Sequence, residues 1–303
     1  MHINIWQVIF LALLQGVTEL FPISSLGHTV IIPGLLPQIF PADFATNTAC
    51  GGKSCFLPVV TALHIGTSIA LVIYFWRDWV QVILTIFNSI KKAEIRKGTE
   101  EWVGWLIIIG CIPGGIIGVV LQEYADKLFS SAIIAAAFLV VNGSILFAGE
   151  AMRKRAEAKF ALTNAKEREA SFRPLSSLSW KEAVIVGFCQ ALALIPGISR
   201  SGVTMVGGLS VRLSHEDAAR YSFLLGTPLI AAAGLLEVPQ LLGQSTQTWI
   251  YIIIGVILSG IAAFLSTRFL TRYFEKGRLT PFAIYCWAFG LIALGILFAT
   301  HAS

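Results

Sequence analysis

The sequence predicts an all-α polytopic membrane protein: six transmembrane helices plus two re-entrant helical hairpins in an inverted-topology repeat. Three observations lead there. Hydrophobic residues make up 56% of the chain and charged ones 13%, mean hydropathy is +0.77, and several apolar runs reach the ~20 residues that cross a bilayer. The cations gather in the linkers between those runs. A polar, helix-breaking segment near the start recurs once downstream with its residues in the same order. The composition excludes an ordinary soluble domain, and cations confined to linkers set topology rather than bind nucleic acid, so no nucleic-acid partner is expected.

The first apolar segment, 3–33, is broken at Phe21-Pro22 and Gly27. It lacks the cationic start and small-residue cleavage site of a signal peptide and is expected to stay in the mature protein. Apolar runs follow at 56–76, 103–121, 131–149, 182–211 (broken again), 221–240, 249–270 and 281–300. Linker 77–101 carries Arg77, Lys91, Lys92, Arg96 and Lys97. Linker 150–181 is as basic, and 268–278 holds Arg268, Arg272, Lys276 and Arg278. The positive-inside rule puts all three in the cytoplasm. The uncharged 241–248 loop is then outside and 212–220 inside, so 182–211 must enter and leave on one side as a re-entrant hairpin. By the same logic 56–76 starts outside, and 34–55 is extracytoplasmic.

The likeness of the two broken segments argues that the first is also a hairpin, entering from the opposite face. At a constant offset Gln15 meets Gln190, Ile23 meets Ile198, Ser24 meets Ser199, Gly27 meets Gly202 and Thr29 meets Thr204. Gly66-Thr67 recurs as Gly226-Thr227 in the span that follows. One hairpin plus three spans per half inverts the second half, which makes a single membrane domain. Repeat one covers about 3–149, a cytoplasmic linker about 150–181 and repeat two about 182–303. Cys111, Cys189 and Cys286 lie in apolar runs and read as small core residues, whereas Cys50 and Cys55 can pair only if their loop faces an oxidising compartment.

Inverted repeats with broken helices bring polar groups together near the midplane. Gln15 and Glu19 are four apart and share a helix face, and a carboxylate at that depth is functional by default. Ser24 or Ser25 can start a new helix, with His28 one turn on, and Ser199 suits an N-cap with Arg200, Ser201 and Thr204 in the first turn or so. Helix N-termini bind anions, Gly27 permits close backbone approach, and an arginine adds bidentate phosphate recognition. The set supplies an activatable nucleophile, an acid/base group and a phosphate clamp. His64 and Asn142 read as interhelical hydrogen-bonders, and Glu237 as interfacial.

These residues resemble a known family. QGVTELFPISSLGH at 15–28, PGISRSGVT at 196–204 and AARYSFLLGTP at 218–228 are similar to the undecaprenyl-diphosphatase (bacitracin-resistance) family over nearly the whole chain. The resemblance implies a bacterial cytoplasmic-membrane phosphatase that cleaves undecaprenyl diphosphate to undecaprenyl phosphate. That recycles the lipid carrier of peptidoglycan synthesis and confers bacitracin resistance, with a site open to the extracytoplasmic side. It assigns Glu19, Ser25, His28 and Arg200 to catalysis, and Gln15, Ser24, Gly27, Ser199, Ser201 and Thr204 to substrate phosphate binding. It also implies a divalent cation, Mg²⁺ or Ca²⁺, with Glu19 as its candidate ligand, and no organic cofactor. Partners are the polyprenyl diphosphate, membrane lipid and, left open, a second copy in a homodimer. The chain departs from the pattern at Gln15, where an acid is the alternative, at Leu26, where a small polar residue is usual, and in the inserted 41–55 loop.

Ser25 is the expected nucleophile, with His28 or Glu19 taking its proton; a nucleophilic His28 stays open. The rival class is a secondary transporter or lipid flippase, but Glu19 is the only acid firmly at midplane depth, and the Ser/His/Arg set suits phosphate chemistry better. The topology is testable by labelling. A membrane-impermeant thiol reagent should label Cys50 or Cys55 in reduced intact cells, whereas a cysteine introduced at Ala165 should need permeabilisation. The reverse pattern would overturn the assignment.

Overall fold

The computed structural model describes residues 4–40, 56–128, 131–159 and 172–301; the whole 41–55 loop, with Cys50 and Cys55, and Ala165 lie outside them. Helices and one isolated Arg173–Leu213 bridge form the regular structure of these residues. The chain opens with α1 (Ile5–Thr18) and α2 (Ser25–Leu35). The 14 residues of α1 cover ~21 Å, short of the ~30 Å hydrocarbon core. Asn4 and Gln7 close α1 with a capping box, and Pro22 follows its end. Next come α3 (Phe56–Tyr74), α4 (Trp76–Lys92), α5 (Glu100–Leu128) and α6 (Ala132–Lys159).

Five further α-helices follow residue 172. Short helices α7 (Trp180–Ala191) and α8 (Arg200–Ser210) flank the Pro196-Gly197 break, and α9 (His215–Glu237), α10 (Thr246–Phe274) and α11 (Thr280–His301) follow. Among the described residues, five helical segments are long and apolar enough to cross a membrane, in α5, α6, α9, α10 and α11; the α3–α4 pair, bent by 81°, makes up to six. The protein is therefore a multi-pass membrane protein. Its outer surface agrees, with Ile116, Val119, Ile257, Leu291 and Phe298 all more than half exposed on the flanks of these helices.

The basic stretch 77–101 begins with a helix that hydropathy alone did not suggest. In α4, Trp76, Val80, Ile83, Leu84, Phe87 and Ile90 are exposed along one face, while Arg77, Gln81, Asn88, Lys91 and Lys92 interrupt the apolar run. Such spacing at helical period is the signature of a helix lying in the membrane interface. Two side chains tie α4 to the bundle: Asp78 pairs with Arg220 of α9, and Trp105 of α5 donates to Ser89 Oγ at 3.0 Å.

Packing interleaves the halves. The first helix of each hairpin leans on the middle long helix of the other half, α1 on α10 and α7 on α5; α3 packs on α9 and α10, and α6 on α11. Close crossings rest on glycine. A Cβ at Gly187 would run into the Gly110 carbonyl, and one at Gly66 into the backbone of Val256, so these helices touch backbone to backbone. With no water to expel between helices in lipid, such approach is how van der Waals contact holds a bundle together. At the far end, Glu150 of α6 accepts from His215 of α9 (2.5 Å) and from the Leu279 N–H before α11 (2.7 Å), clasping three helix ends. Cys286 is fully buried and Cys111 and Cys189 are half-buried free thiols, as core residues.

Candidate active site

The two breaks meet. A Cβ on Gly27 would lie 3.0 Å from Gly197 Cα, so the turns of the hairpins touch at glycine. Asn142 of α6 bridges them: its Nδ2 donates to Pro22 O (3.0 Å) in the first break and its Oδ1 accepts from Ser199 N (3.0 Å) in the second. That is the interhelical role its place in an apolar span suggests. Ser199 and Ser201 hydroxyls also reach Phe21 O, at 3.4 and 3.1 Å.

Each break restarts a helix with a serine. Ser24 Oγ accepts from Gly27 N and Ser199 Oγ from Gly202 N, both at 3.2 Å, so the two serines aligned in the sequence are both N-caps. Ser24 sits at φ +68°, a region costly for a side-chain-bearing residue and enriched at functional sites. That twist turns the following Ser25 toward the carboxylate of Glu19.

Glu19 is the hub. Its Oε2 accepts from Ser25 Oγ at 2.5 Å and from Gln15 Nε2 at 3.1 Å, and lies 3.3 Å from His64 Nε2. Its Oε1 accepts from Arg200 of the other hairpin at 3.1 Å. Glu19 is 7% exposed, so the cation beside it offsets the cost of a charge in an apolar interior. Arg200 also donates to Ser222 O at 3.1 Å, while its Nε, though buried, has no hydrogen-bond partner. A buried guanidinium N–H without a partner is rare, and it fits a group that binds something.

These residues line one end of a cavity of about 290 Å³ between α3, α5 and α9. Glu19, Ser24, Ser25, His64, Ser199 and Arg200 form its polar end. The rest is mostly apolar, lined by Gly114 and Gly118 of α5 and by Ala233 and Leu236 of α9, with Thr61, Gln190 and Glu237 as its further polar groups. Glu237, the last residue of α9 and read as interfacial, is buried among the lining residues, where Gln240 donates to it.

The other residues expected at the phosphate stand behind that surface. Gln15 is buried and reaches the site only through Glu19. Ser201 is turned to Phe21 O, Thr204 donates to Arg200 O within its own helix (2.6 Å), and Gly27 serves the contact with Gly197. His28 differs most from expectation. Instead of a hydrogen bond to Ser25, its Nδ1 donates to Ser24 O (2.7 Å) and its Nε2 pairs with Tyr285 OH (2.8 Å), with the ring stacked on Phe289. One helical turn of spacing permitted the Ser25 contact; the aromatic face of α11 decided against it. His64, read as an interhelical hydrogen-bonder, makes its contact between helices to Glu19 in the site. Its only sequence signal was a second ionisable group in an apolar span.

The cation implied by the resemblance finds no protein cage. Among the described residues no three His, Cys, Asp or Glu side chains converge, and both Glu19 oxygens are engaged by the donors above. A divalent ion wants several oxygens, and a lone, occupied carboxylate does not fit it.

The comparisons with known proteins agree with the sequence motifs. The family model "Bacitracin resistance protein BacA" matches residues 8–292. An undecaprenyl-diphosphatase of Mycolicibacterium paratuberculosis is 42% identical over 292 residues, covering 94% of each chain. Undecaprenyl-diphosphatase 1 of Burkholderia pseudomallei is 41% identical over 300 residues, covering 99% of each. Undecaprenyl-diphosphatase 2 of Frankia alni is 40% identical, covering 93% of this chain and 94% of that one.

Gly226 of α9 is the floor beneath the Arg200 guanidinium: a Cβ there would stand 2.7 Å from one terminal nitrogen and closer still to the other. Gly226→Ala is therefore expected to push a flexible side-chain end off Glu19 while leaving the helix intact. Turnover should fall by about 100-fold, the cost of displacing a catalytic group by an ångström, with thermal stability in detergent little changed. Wild-type turnover in that variant would remove Arg200 from the site.

Proposed function

Because the chain belongs to the bacitracin resistance protein BacA family, we propose that it is a membrane phosphatase hydrolysing undecaprenyl diphosphate to undecaprenyl phosphate and inorganic phosphate. In that role it recycles the lipid carrier for cell-wall synthesis in a bacterial cytoplasmic membrane and confers bacitracin resistance. The observation that carries the reading is the Ser25 hydroxyl at 2.5 Å from Glu19, whose other oxygen is bound to Arg200. A serine on an ionised carboxylate, beside an arginine with an unpartnered N–H, is a nucleophile next to an anion clamp.

The fold reading is six spans and two re-entrant hairpins in an inverted repeat, one membrane domain with its site opening outside. It is supported by the two serine N-caps at equivalent breaks, by α1 and α7 being too short to cross, and by the reciprocal packing of α1 on α10 and α7 on α5. The apolar cavity wall suits a polyprenyl chain, leaving the diphosphate at the polar end.

Glu19 Oε2 takes the Ser25 proton as Oγ attacks the terminal phosphorus. The Oγ–P bond forms while the bond from phosphorus to the bridging oxygen breaks, and polyprenyl phosphate leaves with that oxygen. Water then cleaves the phosphoserine, releasing inorganic phosphate. Arg200 exchanges contact with Glu19 for the phosphate oxygens, where charge spreads in the transition state. Ser24 and Ser199 hold the two helix starts that face the phosphate, and Ser201, Thr204, Gln15 and Gly27 support these groups from behind. His28 keeps the Ser24 turn in shape through the Ser24 carbonyl.

The decisive measurement is phosphate release from a prenyl diphosphate by the purified protein. Ser25→Ala should abolish turnover, and any trapped phosphoenzyme should be acid-stable, as phosphoserine is. An acid-labile adduct that survives in Ser25→Ala would transfer the nucleophile's role to a histidine. Arg200→Lys should lose most activity while still folding, since an ammonium cannot reproduce the guanidinium fork.

A further inference from the structure

His64 lies on α3, outside the motifs that carry the family resemblance, yet it is held as firmly as any group in the site. It is 5% exposed. Its Nδ1 lies 3.1 Å from Thr61 O and 3.3 Å from Val60 O. Carbonyl oxygens only accept, so Nδ1 bears a proton. The opposite nitrogen, Nε2, then faces Glu19 Oε2 at 3.3 Å, and that contact is attractive when Nε2 donates as well. The oxygen it faces is the one that accepts from Ser25.

A carboxylate at the end of a glutamate turns through a broad torsional range unless hydrogen bonds hold it. Three donors hold this one, Gln15 from α1, Ser25 from α2 and Arg200 from α8, and His64 Nε2 of α3 stands 3.3 Å from the same Oε2. Gln15 approaches Oε2 from behind, along the helix that carries Glu19. His64, which lines the cavity with Ser25, approaches it from the cavity side. We infer that His64 is a positioning residue of the reaction, whose Nε2–H keeps Glu19 Oε2 aimed at Ser25. The inference rests on the Ser25–Glu19 reading above. It assigns the working histidine to α3, while His28 is spent on Ser24 O and Tyr285.

The test compares His64→Gln with His64→Leu in the purified full-length protein, reading kcat and KM for a prenyl diphosphate separately. Gln offers an amide N–H in a similar place and should keep kcat within about fivefold; Leu should lose about 10- to 100-fold in kcat, the worth of a hydrogen bond to a charged group, with KM little changed. A merely structural histidine would show no such preference for Gln over Leu. Equal loss in Gln and Leu, or full kcat in Leu, overturns the inference. Where His64→Leu fails to accumulate, His64→Ala answers: added imidazole should restore part of its kcat, and no restoration counts against the proposal. Ser25→Ala and Glu19→Gln run beside these variants. If either keeps full turnover the underlying reading fails, whereas their loss together with an active His64→Leu sinks this inference alone.

Discussion

The pair Glu19–Arg200 is the interaction on which the rest depends. Each charge stands on a different hairpin, in an interior too apolar to tolerate either alone, and each is satisfied by the other at 3.1 Å. Neither hairpin is complete by itself: one ends in an unpaired acid, the other in an unpaired base. Their meeting therefore gives the two breaks one register, which Asn142 then locks by accepting from one and donating to the other. On the proposed function, substrate phosphate competes for the same arginine, so the contact that holds the tips together would also ready the cation for an anion.

Close approach makes that meeting feasible. The helices that carry the tips are pressed on their supports where side chains are missing, at Gly187 against Gly110 and at Gly27 against Gly197, and Gly226 makes room for the guanidinium itself. A membrane interior offers little hydrophobic drive between helices, so shape does the work that water expulsion does in soluble cores. The same economy leaves the cavity wall smooth, since Gly118 faces open space and is not demanded by packing.

Residues that match between the two breaks in sequence have different partners in the structure. Gln15 and Gln190 occupy matching positions, but Gln15 donates to Glu19 whereas Gln190 donates to the Gly110 carbonyl. The place that corresponds to Glu19 in the second half is Leu194. The first tip thus supplies acid and hydroxyl, and the second supplies the cation. Matching serines keep the common task of capping, and only Ser25, one residue past its cap, is free to reach a carboxylate.

Hydropathy and charge, read from the sequence, determined the membrane class, the long helices and the two breaks, because burial in lipid admits only apolar runs with internally satisfied backbones. The same rule singled out Glu19 and Arg200, since charged groups at that depth need a reason, whereas Ser25 rather than Ser24 was what the family resemblance implied. Tertiary structure decided what local spacing leaves open. The basic stretch after Tyr74 holds α4, whose alternation of cations and large apolar residues spoils a hydropathy average but suits an interface. His28 was one turn from Ser25 and turned instead to Tyr285, 257 residues away. Ser201 and Thr204 turn their hydroxyls to Phe21 O and Arg200 O and do not line the cavity. His64 carried no motif at all and reached Glu19 because α3 crosses the hairpin there. Which polar groups face one another across a bundle depends on helix rotation and crossing, set by packing between distant segments, and no local pattern encodes it.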